Sequence, residues 1–280
     1  MILIDNSQII LANIFQSMKD NPKINDDFVR HMVLSSYRMI RRKFYKEYGE
    51  LVICNDSSDC WRKKHFPLYK QNRKDKQKSA DIDWPQIYSS MTTIRNEIIE
   101  SFPYKNIKLD GAEADDIIAI LSRKYYNQEK ILILSNDKDF QQLQIFPNIK
   151  QYSTFKKQFL VCENPKLFLY EHIIKGDSSD GIPNIVSDDS SIIDKSKRQN
   201  KVTKKVIEDV LSVINNIETS KYAKNWNRNK TLIDFSSIPQ EIEDQILELY
   251  NLQKTNKGTI LDYMIKHKLV NLLDSVQDFS

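Results

Sequence analysis

Residues 131–139 read Ile-Leu-Ile-Leu-Ser-Asn-Asp-Lys-Asp, a short apolar run that ends at once in two carboxylates, Asp137 and Asp139. The run has the length and composition of a buried strand. Two further stretches repeat the pattern, because residues 3–5 read Leu-Ile-Asp and residues 51–56 read Leu-Val-Ile-Cys-Asn-Asp. Parallel strands have their C-terminal ends at one edge of a sheet, where open α/β folds bind ligands. The pattern therefore predicts an α/β fold with acids gathered at that edge.

A fourth acidic stretch opens a helix instead of ending a strand. Residues 111–116 read Gly-Ala-Glu-Ala-Asp-Asp, which places Glu113, Asp115 and Asp116 ahead of an apolar helical run. If the three strands are neighbours, these carboxylates crowd one crevice, and like charges at such spacing do not all stay ionised without cations between them. Oxygen ligands of this kind select magnesium, manganese or calcium. The residues alone therefore predict a divalent-metal site.

Each acid also has a purely structural interpretation. An Asp that follows a strand is often a turn or helix-cap residue, and acids in a first helical turn complement the helix dipole. Asp177 and Asp180, with the glycines beside them, could be an ordinary loop. For a single acid the structural interpretation is the better one, but independent caps have no reason to fall at the same sheet edge.

Length and composition indicate a globular chain. The 280 residues are 29% charged and 40% hydrophobic, which is enough for a full core. No apolar stretch approaches the roughly 20 residues of a membrane span, and the first residues lack the pattern of a secretory signal. Three scattered cysteines show no zinc-site spacing, which favours reduced thiols and a cytosolic compartment.

The charges are unevenly distributed, although the net charge is only +4. Residues 61–80 hold eight Lys or Arg and one acid, and residues 195–205 hold six basic residues. A negative crevice flanked by positive segments suits a polyanion whose phosphate reaches the acids through metal ions. Either basic run taken alone is more often a solvated surface.

Strand and helix signals alternate through about residue 150. Helices are predicted after a cap at Asn25 and from Pro85, and a short strand over residues 106–109. The apolar face expected of the first of these helices is Phe28, Met32, Tyr37, Ile40 and Phe44. The alternation predicts a mostly parallel central sheet flanked by helices. A hairpin over residues 151–161, a helix over 165–175 and further helices follow. We expect an α/β domain over 1–165, with a mobile basic excursion at about 61–84, and a helical domain over 166–280.

Together these motifs resemble the 5′-nuclease (flap endonuclease) superfamily, which has a PIN-like fold, and within it the RNase H branch of the T-even bacteriophages. The resemblance covers nearly the whole chain. It rests on six pieces in the family order: residues 3–5, the strand end at Asp56, Trp61-Arg62 with residues 69–73, residues 113–116, residues 135–140 and residues 175–180. Residues 232–239 resemble the phage branch rather than the wider family.

The resemblance implies phosphodiester hydrolysis with two Mg²⁺ ions, which Mn²⁺ could replace. In such sites two ions roughly 3.5–4 Å apart activate a water and stabilise the leaving oxygen. The acids implied around the first ion, some through water, are Asp5, Asp56, Glu113, Asp115 and Asp137. Those toward the second are Asp139, Asp177 and Asp180, and we count Asp116 with the metal-site acids. The expected catalytic residues are Asp5, Asp56, Asp115, Asp137, Lys70 and Arg73. His31, His65, His172 and His267 are expected on the surface or in packing.

Lys70 and Arg73 match the family's basic pair, in the segment that arches over the 5′ single strand. The expected nucleic-acid contacts are Arg62, Lys63, Tyr69, Lys70, Arg73, Lys74 and Lys76, followed by Lys197, Arg198, Lys201 and Lys204. Trp61 and Tyr69 could stack on bases or pack in the protein. Residues 187–200 lack the Gly-x-Gly hairpin by which the family grips duplex backbone, which argues against the family's potassium site.

The resemblance implies a 5′ to 3′ exonuclease and flap endonuclease that acts on RNA–DNA hybrids and on nicked or branched duplex DNA. It would remove RNA primers during phage replication in the host cytoplasm, as a monomer, with a single-stranded-DNA-binding protein and a sliding clamp as partners. One alternative is a catalytically inactive, structure-specific DNA-binding protein on the same fold, although clustered negative charge that faces phosphate would not help such a protein to bind DNA. Another is a phosphoryl-transferring domain of the response-regulator kind, which would be about half as long.

Overall fold

A six-stranded sheet forms the centre of the computed structural model, which describes residues 1–19, 23–73, 77, 81–194, 196–253 and 260–280. The strands are β1 (Ile2–Asp5), β2 (Leu51–Asn55), β3 (Lys105–Lys108), β4 (Ile131–Leu134), β5 (Ile149–Ser153) and β6 (Gln158–Leu160). Their order is β3-β2-β1-β4-β5-β6, with β1 to β5 parallel and β6 antiparallel to β5. The predicted mostly parallel sheet and the hairpin after it are confirmed.

Helices flank the sheet and make up the C-terminal part. The α-helices span Asn6–Ser17, Asp26–Tyr48, Arg62–His65, Trp84–Ser101, Ala114–Tyr125, Pro165–Lys175, Lys204–Ser212, Ala223–Ile233, Gln240–Leu252, Ile260–Lys266 and Val270–Leu273. Short 3₁₀ helices span Lys138–Ile145, Ile214–Thr219, Phe235–Ser237 and Val276–Phe279. Within the described ranges, no helix combines the length and the apolar character needed to cross a bilayer.

The helix starts follow the capping residues in the sequence. The Asn25 side chain accepts a hydrogen bond from Phe28 N at 3.1 Å, and Pro85 lies in the first turn of a helix capped by Asp83. Both predicted starts are therefore confirmed to within one residue. The expected apolar face of the first helix is only partly right, because Phe28 is exposed whereas Tyr37 is fully buried.

The strand order creates a switch point beside β1. From β1 the chain adds β2 and then β3 on one side, and it returns to place β4 and β5 on the other. The C-terminal ends of β2, β1 and β4 are consequently adjacent, and an open α/β sheet has its ligand crevice at such a reversal.

The two hydrophobic cores that contain strand residues also include residues from the C-terminal part. The core that packs on the helices Asn6–Ser17 and Asp26–Tyr48 includes Met264 and Phe279, and the core beneath the Ala114–Tyr125 helix includes Phe235 and Ile246. The domain boundary at residue 165 remains a prediction, and the packing is continuous across it.

A third core fixes the beginning of the basic excursion. Phe66 and Tyr69 are buried in it with Ile173, Ile174 and Trp226. The expectation that the excursion contributes nothing to a core is therefore wrong for residues 61–73, because two large apolar side chains anchor them to the C-terminal helices. The mobility of the segment stays a prediction. Residues 74–76 and 78–80 of the excursion lie outside the described residues.

Candidate active site

Three carboxylates lie side by side at the C-terminal edge of the sheet. Asp5 ends β1, Asp56 follows β2 and Asp137 follows β4, and both β2 and β4 pair with β1. One oxygen of each accepts a backbone N–H, at 3.1 Å for Asp5 and 2.9 Å for Asp56 and Asp137. Asp5 and Asp137 thus cap helices and also converge with Asp56, so the two interpretations of the sequence are compatible.

Asp115 completes this set, which we call the edge acids (Asp5, Asp56, Asp115 and Asp137). It lies in the first turn of the Ala114–Tyr125 helix. Burial, together with the charges of Asp56 and Asp137, raises the pKa of Asp5 to about 7. Burial and the charges of Asp137 and Asp5 raise the pKa of Asp115 well above its usual value. Mutual repulsion of this kind is relieved when a cation lies among the carboxylates.

A second cluster consists of Asp139, His172 and Asp177, and one donor atom from each lies within 4.8 Å of the others. His172 Nε2 is 3.2 Å from Asp177 Oδ2, and His172 Nδ1 is 3.4 Å from Asp139 Oδ1. Lys138 Nζ also lies 2.8 Å from Asp177. Burial and the charge of Asp137 raise the pKa of Asp139 to about 7, against the opposing effect of His172. Burial alone would raise the pKa of Asp177, but hydrogen bonds from His172 and Lys138 hold it well below its usual value.

His172 is the residue of this site that sequence reasoning missed. It is buried, so a surface position is wrong, and its ring lies between two predicted metal ligands. A signal was present, because His172 stands in the last turn of the Pro165–Lys175 helix, and only Gly176 separates that helix from Asp177. The Gly176 N–H closes that helix onto His172 O at 2.8 Å.

The loop that carries Asp177 depends on glycine. Gly176 has φ +66°, and a Cβ there would lie 2.5 Å from Ile182 O. Asp177 N donates to Ile182 O at 2.9 Å, and Ile182 N donates back to Asp177 O at 2.8 Å. Asp177 Oδ1 accepts from Ser179 N at 2.8 Å. The close backbone approach at Gly176 therefore sets the position of the Asp177 carboxylate.

Asp116 is held by protein groups on both of its oxygens. Arg62 Nη2 lies 2.8 Å from Asp116 Oδ1, and Trp61 Nε1 donates to Oδ2 at 3.1 Å. Glu113 N donates to the same Oδ2 at 3.0 Å, and the side chain is fully buried. The expectation of a metal ligand at Asp116 is therefore wrong, because this carboxylate caps the helix and holds Arg62.

Glu113 is the anchor of the basic residues. Lys70 Nζ lies 2.6 Å from Oε1, while Arg62 Nη1 and Tyr69 OH each donate to Oε2 at 3.0 Å. Burial would raise the pKa of Glu113, but Lys70 and then Arg62 lower it to about 2. Burial would lower the pKa of Lys70, but Glu113 and Asp180 raise it. Both groups are thus held charged, and the Glu113 oxygens face protein cations instead of the metal expected there.

Asp180 is likewise paired with cations. Its Oδ1 forms an ion pair with Arg73, its Oδ2 is 3.4 Å from Lys70 Nζ, and its carbonyl accepts from Lys70 N at 2.7 Å. Lys70 adopts φ +57° at this contact. The predicted pair of Lys70 and Arg73 is therefore docked on the loop of residues 176–181. The Asp180 carboxylate faces these two cations and not the metal ion expected there.

Two of the predicted nucleic-acid contacts in the basic excursion are buried. Arg62 is 3% exposed and donates from Nε to Leu232 O at 2.8 Å, and Tyr69 is 4% exposed with its hydroxyl on Glu113. A surface role for either is wrong, because the third core and the buried acids enclose them. Lys63 is exposed as predicted. Two further predicted contacts lie outside the described residues: Lys74 and Lys76.

The C-terminal basic residues Lys197, Arg198, Lys201 and Lys204 are all exposed, and Lys195 is outside the described residues. Lys197 Nζ donates to Ser190 Oγ at 2.8 Å. These residues come after a series of turns that stands where the family has a hairpin. At the start of this series, Arg228 Nη2 donates a hydrogen bond to Pro183 O at 2.9 Å. Lys197 and Lys204 also pair with Asp188 at 3.3 Å and with Glu208 at 3.7 Å, on the exposed surface.

The donor set fits hard divalent cations. The edge acids supply carboxylate oxygens, the ligands that magnesium and manganese take in proteins. Asp139 Oδ1 is buried and has no hydrogen-bond partner among the described residues. A buried carboxylate oxygen without a partner is costly unless a cation or a proton satisfies it.

Comparison with known proteins finds a matching family model for each part of the chain. The family model "5'-3' exonuclease, N-terminal resolvase-like domain" matches residues 1–168, and the model "T4 RNase H, C terminal" matches residues 164–279. The chain is 32% identical to Ribonuclease H of Enterobacteria phage T4, over 99% of this chain and 95% of that protein. It is 33% identical to a 5'-3' exonuclease of Buchnera aphidicola, over 51% of this chain and 50% of that protein.

Solved structures share the fold. The bacteriophage T5 D15 flap endonuclease, solved as a pseudo-enzyme-product complex with DNA and metal ions, superposes with a TM-score of 0.66 at 16% identity. T5 5'-exonuclease with bound zinc gives 0.63 at 18% identity. These alignments cover 89% of this chain and 98% or 99% of the T5 chains. Because a family model spans more than half of the sequence and a relative at 32% identity spans nearly all of it, this chain belongs to the 5′–3′ exonuclease family, the phosphodiester-hydrolysing nucleases that include ribonuclease H and the flap endonucleases.

Proposed function

We propose that the chain is a divalent-metal-dependent nuclease that hydrolyses nucleic-acid strands from 5′ ends and flaps, on duplex DNA and on RNA–DNA hybrids. The observation that carries this proposal is the convergence of the four edge acids at the sheet edge. Binding alone gives no reason to bury mutually repelling carboxylates in a crevice, whereas a metal-assisted hydrolase needs them.

Magnesium is the ion we infer for this site, with manganese able to replace it. The edge acids would hold the first ion, and Asp139 and Asp177 would hold the second. A pair of such ions lowers the pKa of a bound water and stabilises the leaving oxygen of a phosphodiester. The chain contributes preorganised ligands, because a backbone N–H fixes one oxygen of Asp5, of Asp56 and of Asp137. The T5 structures, one solved with metal ions and one with zinc, support a metal site on this fold.

Lys70 supplies a fixed positive charge beside the carboxylates. Its ammonium is 2.6 Å from Glu113 and 3.4 Å from Asp180, so its position and its charge are set before substrate arrives. A preorganised donor of this kind orients the scissile phosphate and offsets the charge that develops on its oxygens. Arg73, on the same loop contact, would act with it.

The biological role we propose is the removal of RNA primers during phage DNA replication in the host cytoplasm. The support is the similarity to the phage T4 Ribonuclease H over almost the whole length of both chains. The exposed C-terminal basic residues would contact duplex backbone without sequence preference. A single-stranded-DNA-binding protein and a sliding clamp are the proposed partners, and we propose that the chain acts as a monomer.

Side-by-side digestion of three 5′-labelled substrates tests the proposal: a nicked duplex, a 5′ flap and an RNA–DNA primer hybrid. With Mg²⁺ we expect short labelled products from the nicked duplex and the hybrid, and a released strand from the flap. All cleavage should stop in excess chelator. Tight binding of the flap without cleavage in any divalent ion would overturn the proposal in favour of an inactive structure-specific binder.

A further inference from the structure

The second cluster contains a nitrogen donor as well as carboxylates. His172 is 5% exposed and its two ring nitrogens face two different acids. Nε2 lies within hydrogen-bond distance of Asp177 Oδ2, at 3.2 Å. When the proton of a neutral imidazole is donated from Nε2, the lone pair is on Nδ1.

Nδ1 and the oxygen opposite it both lack a partner. His172 Nδ1 and Asp139 Oδ1 are 3.4 Å apart, both are buried, and neither has a hydrogen-bond partner among the described residues. With the proton on Nε2, the lone pairs of Nδ1 and Asp139 Oδ1 face each other and repel, and a cation between them removes the repulsion. The ammonium of Lys138 lies 2.8 Å from Asp177 and is half exposed.

We propose that His172 Nδ1 is a direct ligand of the second metal ion, with Asp139 and Asp177 as its oxygen ligands. This inference rests on the proposed function, because it concerns the ion that the carboxylates of the second cluster would hold. Imidazole binds manganese, zinc and other transition metals, whereas magnesium takes oxygen ligands and keeps water. The second site therefore prefers Mn²⁺ to Mg²⁺ more strongly than an all-carboxylate site would.

Two substitutions separate a ligand role from a packing role. His172→Gln keeps a polar group that can reach Asp177 but removes the Nδ1 donor. His172→Asn places an amide oxygen or nitrogen close to the position of Nδ1. Substitution of a residue that only orients a metal ligand commonly lowers metal affinity by about 10- to 100-fold, and loss of a direct ligand should cost at least as much. We expect His172→Gln to lower Mn²⁺ affinity by at least this factor at one of two sites, and His172→Asn to recover part of the affinity without the preference for Mn²⁺ over Mg²⁺. The matched control is His267→Gln, since His267 lies far along the chain beside Tyr263.

Pulsed electron paramagnetic resonance of the full chain saturated with Mn²⁺ is the test, because it detects ¹⁴N coupling from a directly bound imidazole. We expect the nitrogen signal in the wild type and in His267→Gln, and its loss in His172→Gln. A wild-type chain that binds Mn²⁺ and cleaves the flap but gives no nitrogen signal would overturn this inference and leave the proposed function standing. A chain that cleaves in no divalent ion would refute the proposed function itself.

Discussion

Arg62→Lys should destabilise the fold although it keeps the positive charge. The Arg62 guanidinium donates from Nε to Leu232 O at 2.8 Å, from Nη1 to Glu113 at 3.0 Å, and pairs through Nη2 with Asp116 at 2.8 Å. A lysine has one compact ammonium in place of this planar fork and cannot reach three partners in three directions. At least one buried acid then loses its cation.

The size of the effect follows from these contacts. Removal of one partner from a buried ion pair costs about 3–5 kcal/mol, and a hydrogen bond to a charged group is worth about 1.5–3 kcal/mol. Because the lysine can keep one of the carboxylates, we expect a loss near the lower end, about 3 kcal/mol. At about 2–4 °C for each kcal/mol in domains of 150–250 residues, the melting temperature should fall by about 6–12 °C.

Thermal unfolding followed by circular dichroism, in chelator, measures this directly. The matched control is Lys63→Ala, the exposed neighbour, which should change stability by less than about 0.5 kcal/mol. If Arg62→Lys has the same melting temperature as the wild type, the contacts of the Arg62 guanidinium do not stabilise the fold. A loss of DNA affinity at unchanged stability would show that Arg62 is a phosphate contact after all.

Three further outcomes are expected. The pKa of Asp5 is about 7 in the folded chain and about 4 in an unfolded one. The ionisation of Asp5 therefore lowers the stability of the metal-free chain as pH rises from about 4 to about 7. The increase in melting temperature on adding Mg²⁺ should consequently be larger at pH 8 than at pH 5, and an increase that does not depend on pH would contradict this. Lys70→Ala should lower single-turnover cleavage about 10²- to 10³-fold with little change in flap affinity, whereas a loss confined to affinity would make it an ordinary phosphate-binding residue. Neutralising Lys197, Arg198 and Lys201 together should flatten the plot of log affinity against log salt by about 0.9 for each phosphate that the variant no longer binds, and an unchanged slope means that they form only a solvated surface.

The edge acids could be predicted from sequence because two simple regularities determine them. A short apolar run fixes where a strand ends, and parallel strands end at one edge. Asp5, Asp56 and Asp137 therefore needed only the assumption that their strands are neighbours, and the strand order confirms it. The glycines near Asp177 can be read from the sequence, but the backbone contacts that they make cannot.

Which of the other acids pair with protein cations, and which remain as candidate metal ligands, could not be predicted from sequence. The answer depends on where the basic excursion docks. Phe66 and Tyr69 look isolated in a lysine-rich stretch, yet they complete the third core and bring Arg62 and Lys70 onto Glu113. That docking turns Glu113 from an expected metal ligand into the anchor of the proposed catalytic cation. Contacts between residues so far apart in sequence leave no periodic signal.

Cleavage by Asp137→Asn, compared with its binding to the same flap, tests the central claim most directly. The amide keeps an oxygen that can accept the backbone N–H bonded at 2.9 Å but removes one of the charges that would hold metal. We expect cleavage in Mg²⁺ to be abolished, and affinity for the flap in chelator to be equal or higher, since the variant has one repulsive charge fewer near phosphate. Asp244→Asn, an exposed acid on the Gln240–Leu252 helix, should cleave as the wild type does. Wild-type cleavage by Asp137→Asn would contradict a metal-dependent hydrolysis built on the edge acids.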